Sequence, residues 1–233
     1  MIGENSSVPA TALGRVQEQH TWRRARRYFW FAVTSCTLAV GFLYAMPSTI
    51  LLSRLSLALG YISLAFLGGS LFVGPWNVLW GYANPVSTGV RRDLGIWAGI
   101  LGLVHTVLGL QVHMNGNFWL YFFNPPESPH LLPLRFDPFG FANFAGLGAV
   151  CVLLLLLALS NNYSLRRLGV QRWKALQQWN YVCFILTVAH SVAYQYMERR
   201  TVLFLALFSG IVLVVGAMQF AGFRKRRAQK IYT

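Results

Sequence analysis

The chain has 233 residues, 55% hydrophobic and 11% charged, with a mean hydropathy of +0.47. A soluble fold of this size carries about 25% charged residues, so the composition indicates an all-α, polytopic membrane protein and excludes a soluble domain. The formal net charge of +14 does not point to nucleic acid, because the basic residues are distributed as topology signals.

Residues 1–22 are polar and small, without an apolar core, and are expected to form a flexible tail rather than a cleaved signal. His20 in that tail is expected to be solvated. Arg23, Arg24, Arg26 and Arg27 then precede the first apolar stretch, Tyr28 to Met46, which approaches the ~20 residues needed to cross a bilayer. Further spans are expected at Ser56 to Gly74, Leu94 to Val112, Phe139 to Ser160, Trp179 to Met197 and Val202 to Phe220. The resulting division is a tail over 1–22, a six-helix bundle over 23–223 and a basic tail over 224–233.

Assigning the loops alternately to two sides puts 16 Lys and Arg on one and 4 on the other, namely Arg54, Arg135, Arg199 and Arg200. By the positive-inside rule this split predicts both termini in the cytoplasm, with a bacterial inner membrane as the setting. Cys36, Cys151 and Cys183 sit in apolar runs at unrelated spacings, so a disulfide scaffold, a zinc site and a covalent c-type haem are not expected. The outer loop His113 to Pro138 gathers Trp119, Tyr121, Phe122 and Phe123 among prolines. It suits either an interfacial anchor or a docking lip for an extracytoplasmic partner. His130 within it has no evident partner.

Two histidines lie inside spans, where an ionisable ring needs a function or a neighbour. His105 is eleven residues beyond Leu94 and His190 eleven beyond Trp179, which places both about 16 Å into the membrane at 1.5 Å per residue. The third and fifth spans enter from the same side, so their rings can face opposite sides of one flat macrocycle as axial haem ligands. Gly95, Gly99, Gly102 and Gly109 share an arc of about 80° on the third span with His105 at its edge. Such a face admits either a bulky cofactor or a closely packed helix. His113 and Met197 share a shallower level, explained most simply by interfacial location.

The segments RRDLGIWAGILGLVH (Arg91 to His105) and LGVQRWKALQQWNYVCFILTVAH (Leu168 to His190) resemble the ferric reductase-like transmembrane domain. They are especially similar to the haem-binding membrane subunit of the bacterial periplasmic methionine-sulfoxide reductase system. The resemblance covers about residues 75–200. It implies a six-helix b-type cytochrome passing electrons toward an outer acceptor, with His105 and His190 as haem b ligands. By that resemblance Arg172 with Lys174 would steady a carboxylate-bearing cofactor or partner, while Gly102 and Gly109, read from the shared glycine face, would line the haem. Two positions depart from the pattern: Gln177 follows Leu176 where the family usually carries a second histidine, and Arg91 stands where two-haem relatives have one. One haem is therefore expected, fed by a membrane quinol (quinone being a second cofactor) or by a partner reductase. The competing expectation is a structural or assembly subunit of a larger respiratory or photosynthetic complex.

Overall fold

The computed structural model describes residues 10–46, 50–82, 89–126 and 132–231. Among these, seven α-helices follow in order: α1 (Ala10–Ala45), α2 (Leu51–Leu79), α3 (Gly89–Val112), α4 (Pro138–Leu159), α5 (Asn162–Gln177), α6 (Trp179–Met197) and α7 (Val202–Ile231). Five carry stretches long and apolar enough to cross a membrane: Thr21–Ala45, Leu51–Leu79, Gly89–Val112, Pro138–Leu159 and Val202–Gln229.

Several helices outrun their apolar stretches. Helix α1 starts at Ala10, so residues 10–22 are helical where composition suggested a flexible tail; residues 1–9 lie outside the described residues. The reason is local, since ATALGRVQEQH is rich in Ala, Leu, Gln and Arg, all good helix formers. Helix α7 likewise runs through the basic segment to Ile231. The segment 162–177 forms a helix of its own, α5, capped by the Asn161 side chain accepting from the Ser164 N–H at 2.7 Å. It bends at Gly169, whose φ of +73° is one that glycine adopts without a Cβ clash.

Helix α2 is the central element and packs along both α3 and α7, while α4 packs along α6. The core between them joins Ile62, Phe66 and Leu67 of α2 to Ala98 and Leu101 of α3, Leu153 of α4 and Cys183 of α6. Helix α1 is tied to α3 by a buried carboxylate. Asp93 is 1% exposed and accepts from Arg24 Nε at 3.1 Å and Arg27 Nη2 at 2.6 Å. An ionised carboxylate so deep is tolerable only when paired and hydrogen-bonded.

The loop after α3 makes two short 3-10 turns, Met114–Gly116 and Phe118–Tyr121, and one isolated antiparallel bridge from Phe123 to Leu134. Its aromatics divide. Tyr121 and Phe122 are buried, whereas Trp119 is 65% exposed. The Tyr121 hydroxyl donates to the carbonyl of His113 at 2.8 Å, which stitches the loop to the end of α3. Helix α4 then begins with Pro138 in its first turn and Asp137 as N-cap, its carboxylate accepting from the Gly140 N–H at 2.7 Å. Arg135 beside it, at 2.6 Å, holds the Asp137 carboxyl below the usual carboxylate range. His130 lies outside the described residues.

Candidate functional site

His105 comes from the middle of α3 and His190 from the middle of α6, with their ring centroids 6.2 Å apart and their planes at 79°. The two helices run in the same direction: the starts of both line one cavity, and near their other ends His113 stacks on Tyr194 at 6.0 Å.

Each ring is held through the same atom by the same kind of partner. His105 Nδ1 lies 2.7 Å from the carbonyl oxygen of Ser56 on α2, and His190 Nδ1 lies 2.8 Å from that of Ala142 on α4. A carbonyl only accepts, so each Nδ1 carries the proton and each Nε2 keeps its lone pair. Four residues after each carbonyl, one helical turn further on, stands a glycine. A Cβ added at Gly60 would lie 3.1 Å from His105 Nδ1, and one added at Gly146 would lie 2.8 Å from His190 Nδ1. Real Cβ atoms essentially never come within 3.0 Å of another heavy atom and seldom within 3.4 Å, so the glycines let the imidazoles reach the backbone of the neighbouring helix.

The rings border a cavity of about 220 Å³ between the helices, larger than the ~150 Å³ apolar cavity that takes up benzene. Its lining includes Gly60, Leu64, Thr106, Leu153 and Thr187. Toward the loop end it is bordered by hydrogen-bonded groups. Tyr194, whose ring is 4.9 Å from that of His190, donates to Asn143 Oδ1 at 2.8 Å, and Asn143 Nδ2 donates to the Phe139 carbonyl at 2.9 Å. His113 there faces Glu198, Nε2 to Oε1 at 3.5 Å. Among the described residues no three His, Cys, Asp or Glu side chains form a metal-holding group.

A family model for the ferric reductase-like transmembrane component matches residues 52–188, more than half of the chain. The chain belongs to that family. No solved structure matches it. Together with the five apolar helices, membership makes this ferric reductase-like protein an integral membrane protein. The matched stretch runs from the start of α2 into α6.

Within this ferric reductase-like domain the other expected site residues fall in different places. Gly102 and Gly109 line the cavity, but each also serves close packing: a Cβ on Gly102 would meet Ser63 Oγ at 3.0 Å, and one on Gly109 would meet Ser56 Oγ at 3.3 Å. Gly99 is a packing position as well, where an added Cβ would lie 2.6 Å from Leu157 Cδ2, and Gly95 faces open space. Arg172 is exposed on α5 and lines neither this cavity nor the one at the opposite end of the bundle, whereas Lys174 lines the latter. Gly60 and Gly146, which make room for the rings, carried no pattern in the sequence. Each is a single glycine whose value depends on the histidine of another helix.

Proposed function

We propose that this ferric reductase-like protein is a membrane electron-transfer component: a b-type cytochrome in which His105 and His190 are the axial ligands of one haem b. The observation that carries the reading is the paired anchoring of the two Nδ1 atoms, to the carbonyls of Ser56 and Ala142, with the rings 6.2 Å apart. A nitrogen bound to a metal at about 2 Å puts its imidazole centroid about 3 Å from the metal, so two rings sharing one metal ion lie about 6 Å apart. The donor set is right as well, since neutral imidazoles with a fixed Nδ1–H offer Nε2 as ligand.

A haem held there would supply a one-electron couple in a low-dielectric setting. The protein's part is to fix both rings through Ser56 and Ala142, to line the site with apolar Leu64 and Leu153, and to border its loop end with Tyr194 and Asn143. Six spans with both termini in the cytoplasm complete the proposal, as read from the distribution of Lys and Arg. Helix α6 is the sixth. Its polar residues lower its hydropathy, and two of them find partners inside the bundle, Asn180 on Ser70 Oγ at 3.0 Å and His190 on Ala142, as hydrocarbon favours.

Arg91 and Gln177 line the cavity at the opposite end, and neither side chain is a haem ligand, so the relay has one haem. Electrons then enter from a quinol or a partner reductase within the membrane, in the setting of a bacterial inner membrane, and leave toward an outer acceptor. The missing inner ligands equally suit a scaffold subunit of a larger respiratory or photosynthetic complex, in which the haem is inert.

Purified protein is expected to bind about one haem per chain, reducible by a quinol analogue within a turnover. A haem that forms but is not reduced by quinol or any reductase favours the scaffold. A folded preparation reconstituted with haem and showing no Soret band rejects the cytochrome.

A further inference from the structure

At the end of the bundle away from the outer loop, a second cavity of about 410 Å³ opens between the ends of α2 and α7, the starts of α3 and α6, and α5. Four cations line it, Arg91, Arg92, Lys174 and Arg226, and no carboxylate does. Arg92 is engaged, donating to the Ser160 carbonyl at 3.0 Å and to Asn162 Oδ1 at 2.6 Å. Among the described residues the other three make no hydrogen bond or ion pair. The nearby carboxylate of Asp93 is already taken by Arg24 and Arg27.

The amides of the cavity sort in the same way. Asn180 donates to Ser70 Oγ at 3.0 Å and Gln219 to the Leu71 carbonyl at 2.7 Å, whereas Gln177 Nε2 is buried with no partner. A buried donor without an acceptor costs free energy, and three like charges around one space repel. The unpaired charges here are all cations, and the buried unpartnered amide atom is a donor.

We propose that this cavity binds a phosphate-bearing anion, held by Arg91, Arg226, Lys174 and Gln177 Nε2. Three cations and an amide suit a group with several acceptor oxygens, and Arg matches it with a bidentate fork. A basic pocket between helices at the membrane surface meets such groups on anionic lipids; the soluble source is a free phosphate compound. The site stands whether or not haem binds between His105 and His190.

The test uses the full chain, delipidated in neutral detergent, titrated with phosphatidylglycerol, with phosphatidylcholine at the same mole fraction, and with inorganic phosphate. Melting temperature and native mass spectrometry are read together. Stabilisation and retention with phosphatidylglycerol but not phosphatidylcholine assigns the lipid source, and a response to inorganic phosphate alone assigns the soluble one. Each of Arg226→Gln and Lys174→Gln is expected to weaken binding about tenfold, as loss of one charge-assisted hydrogen bond implies. Arg91→Gln is the stronger variant, and the Lys174 change at an exposed position keeps the test valid if that variant misfolds. Arg166→Gln with Arg167→Gln, exposed on α5 and away from the cavity, is expected to leave binding unchanged. No response to either anion, or an equal loss in the Arg166 and Arg167 variant, overturns the proposal.

Discussion

His190 donates its Nδ1–H to the carbonyl oxygen of Ala142 at 2.8 Å, reaching the backbone of α4 across a face that Gly146 leaves bare. The same construction holds His105 over Ser56 and Gly60 of α2. Two unrelated pairs of helices thus repeat one device, a carbonyl followed four residues later by a glycine, and the lone pairs left over are the two Nε2 atoms.

The device predicts an order of severity among glycine substitutions. Gly146→Ala places a Cβ 2.8 Å from His190 Nδ1, Gly60→Ala places one 3.0 Å from His105 Cε1, and Gly216→Ala meets nothing within 4 Å. Haem occupancy after purification is expected to fall most in the first, less in the second and not at all in the third. Equal occupancy in all three contradicts the fit described for the rings.

Asp93 predicts a separate, structural effect. Asp93→Asn leaves Arg24 and Arg27 facing a neutral amide; a fully buried pair broken this way costs about 3–5 kcal/mol, and the half-exposed arginines reduce this to about 2 kcal/mol. A lower melting temperature with an unchanged visible spectrum is the expected result. A changed spectrum at unchanged stability would place Asp93 in the haem environment instead.

These two predictions differ in how far they were legible in the sequence. Depth counting along α3 and α6 brought His105 to His190, and the boundaries Trp179 and Met197 of α6 agree with the apolar run. Gly60 and Gly146 were illegible because a glycine's role here is defined by a ring from another helix, not by its own neighbours. Asp93 was readable as a residue at a span end, but its partners are 66 and 69 positions away. Gly102 and Gly109 illustrate the converse: a shared arc marks a face, and that face serves both the cavity and helix packing. Helix α5 was missed because its segment is polar and too weakly apolar to read as a span; an Asn cap fixes its start and Gly169 bends it.

Asp137 carries a pH dependence. Its carboxyl is depressed by the Arg135 guanidinium and by the Gly140 N–H it accepts from. A carboxyl lowered in the folded state contributes stability above its unfolded value of about 3.9, and that contribution is lost as pH falls through the lower folded value. Asp137→Ala is expected to cost about 1 kcal/mol near neutrality through loss of the cap, with the gap to the unaltered protein closing below about pH 4. Thermal melts at pH 7 and pH 3.5 measure this; a gap that widens in acid contradicts the assignment.

The central claim is that His105 and His190 ligate one haem, and the most direct measurement is the low-spin ferric spectrum, by electron paramagnetic resonance and visible absorption, of three single variants. His105→Ala and His190→Ala are each expected to abolish the low-spin signal, while His113→Ala, 3.5 Å from Glu198 and outside the pair, retains it. A full-strength low-spin spectrum in either of the first two variants would contradict the account.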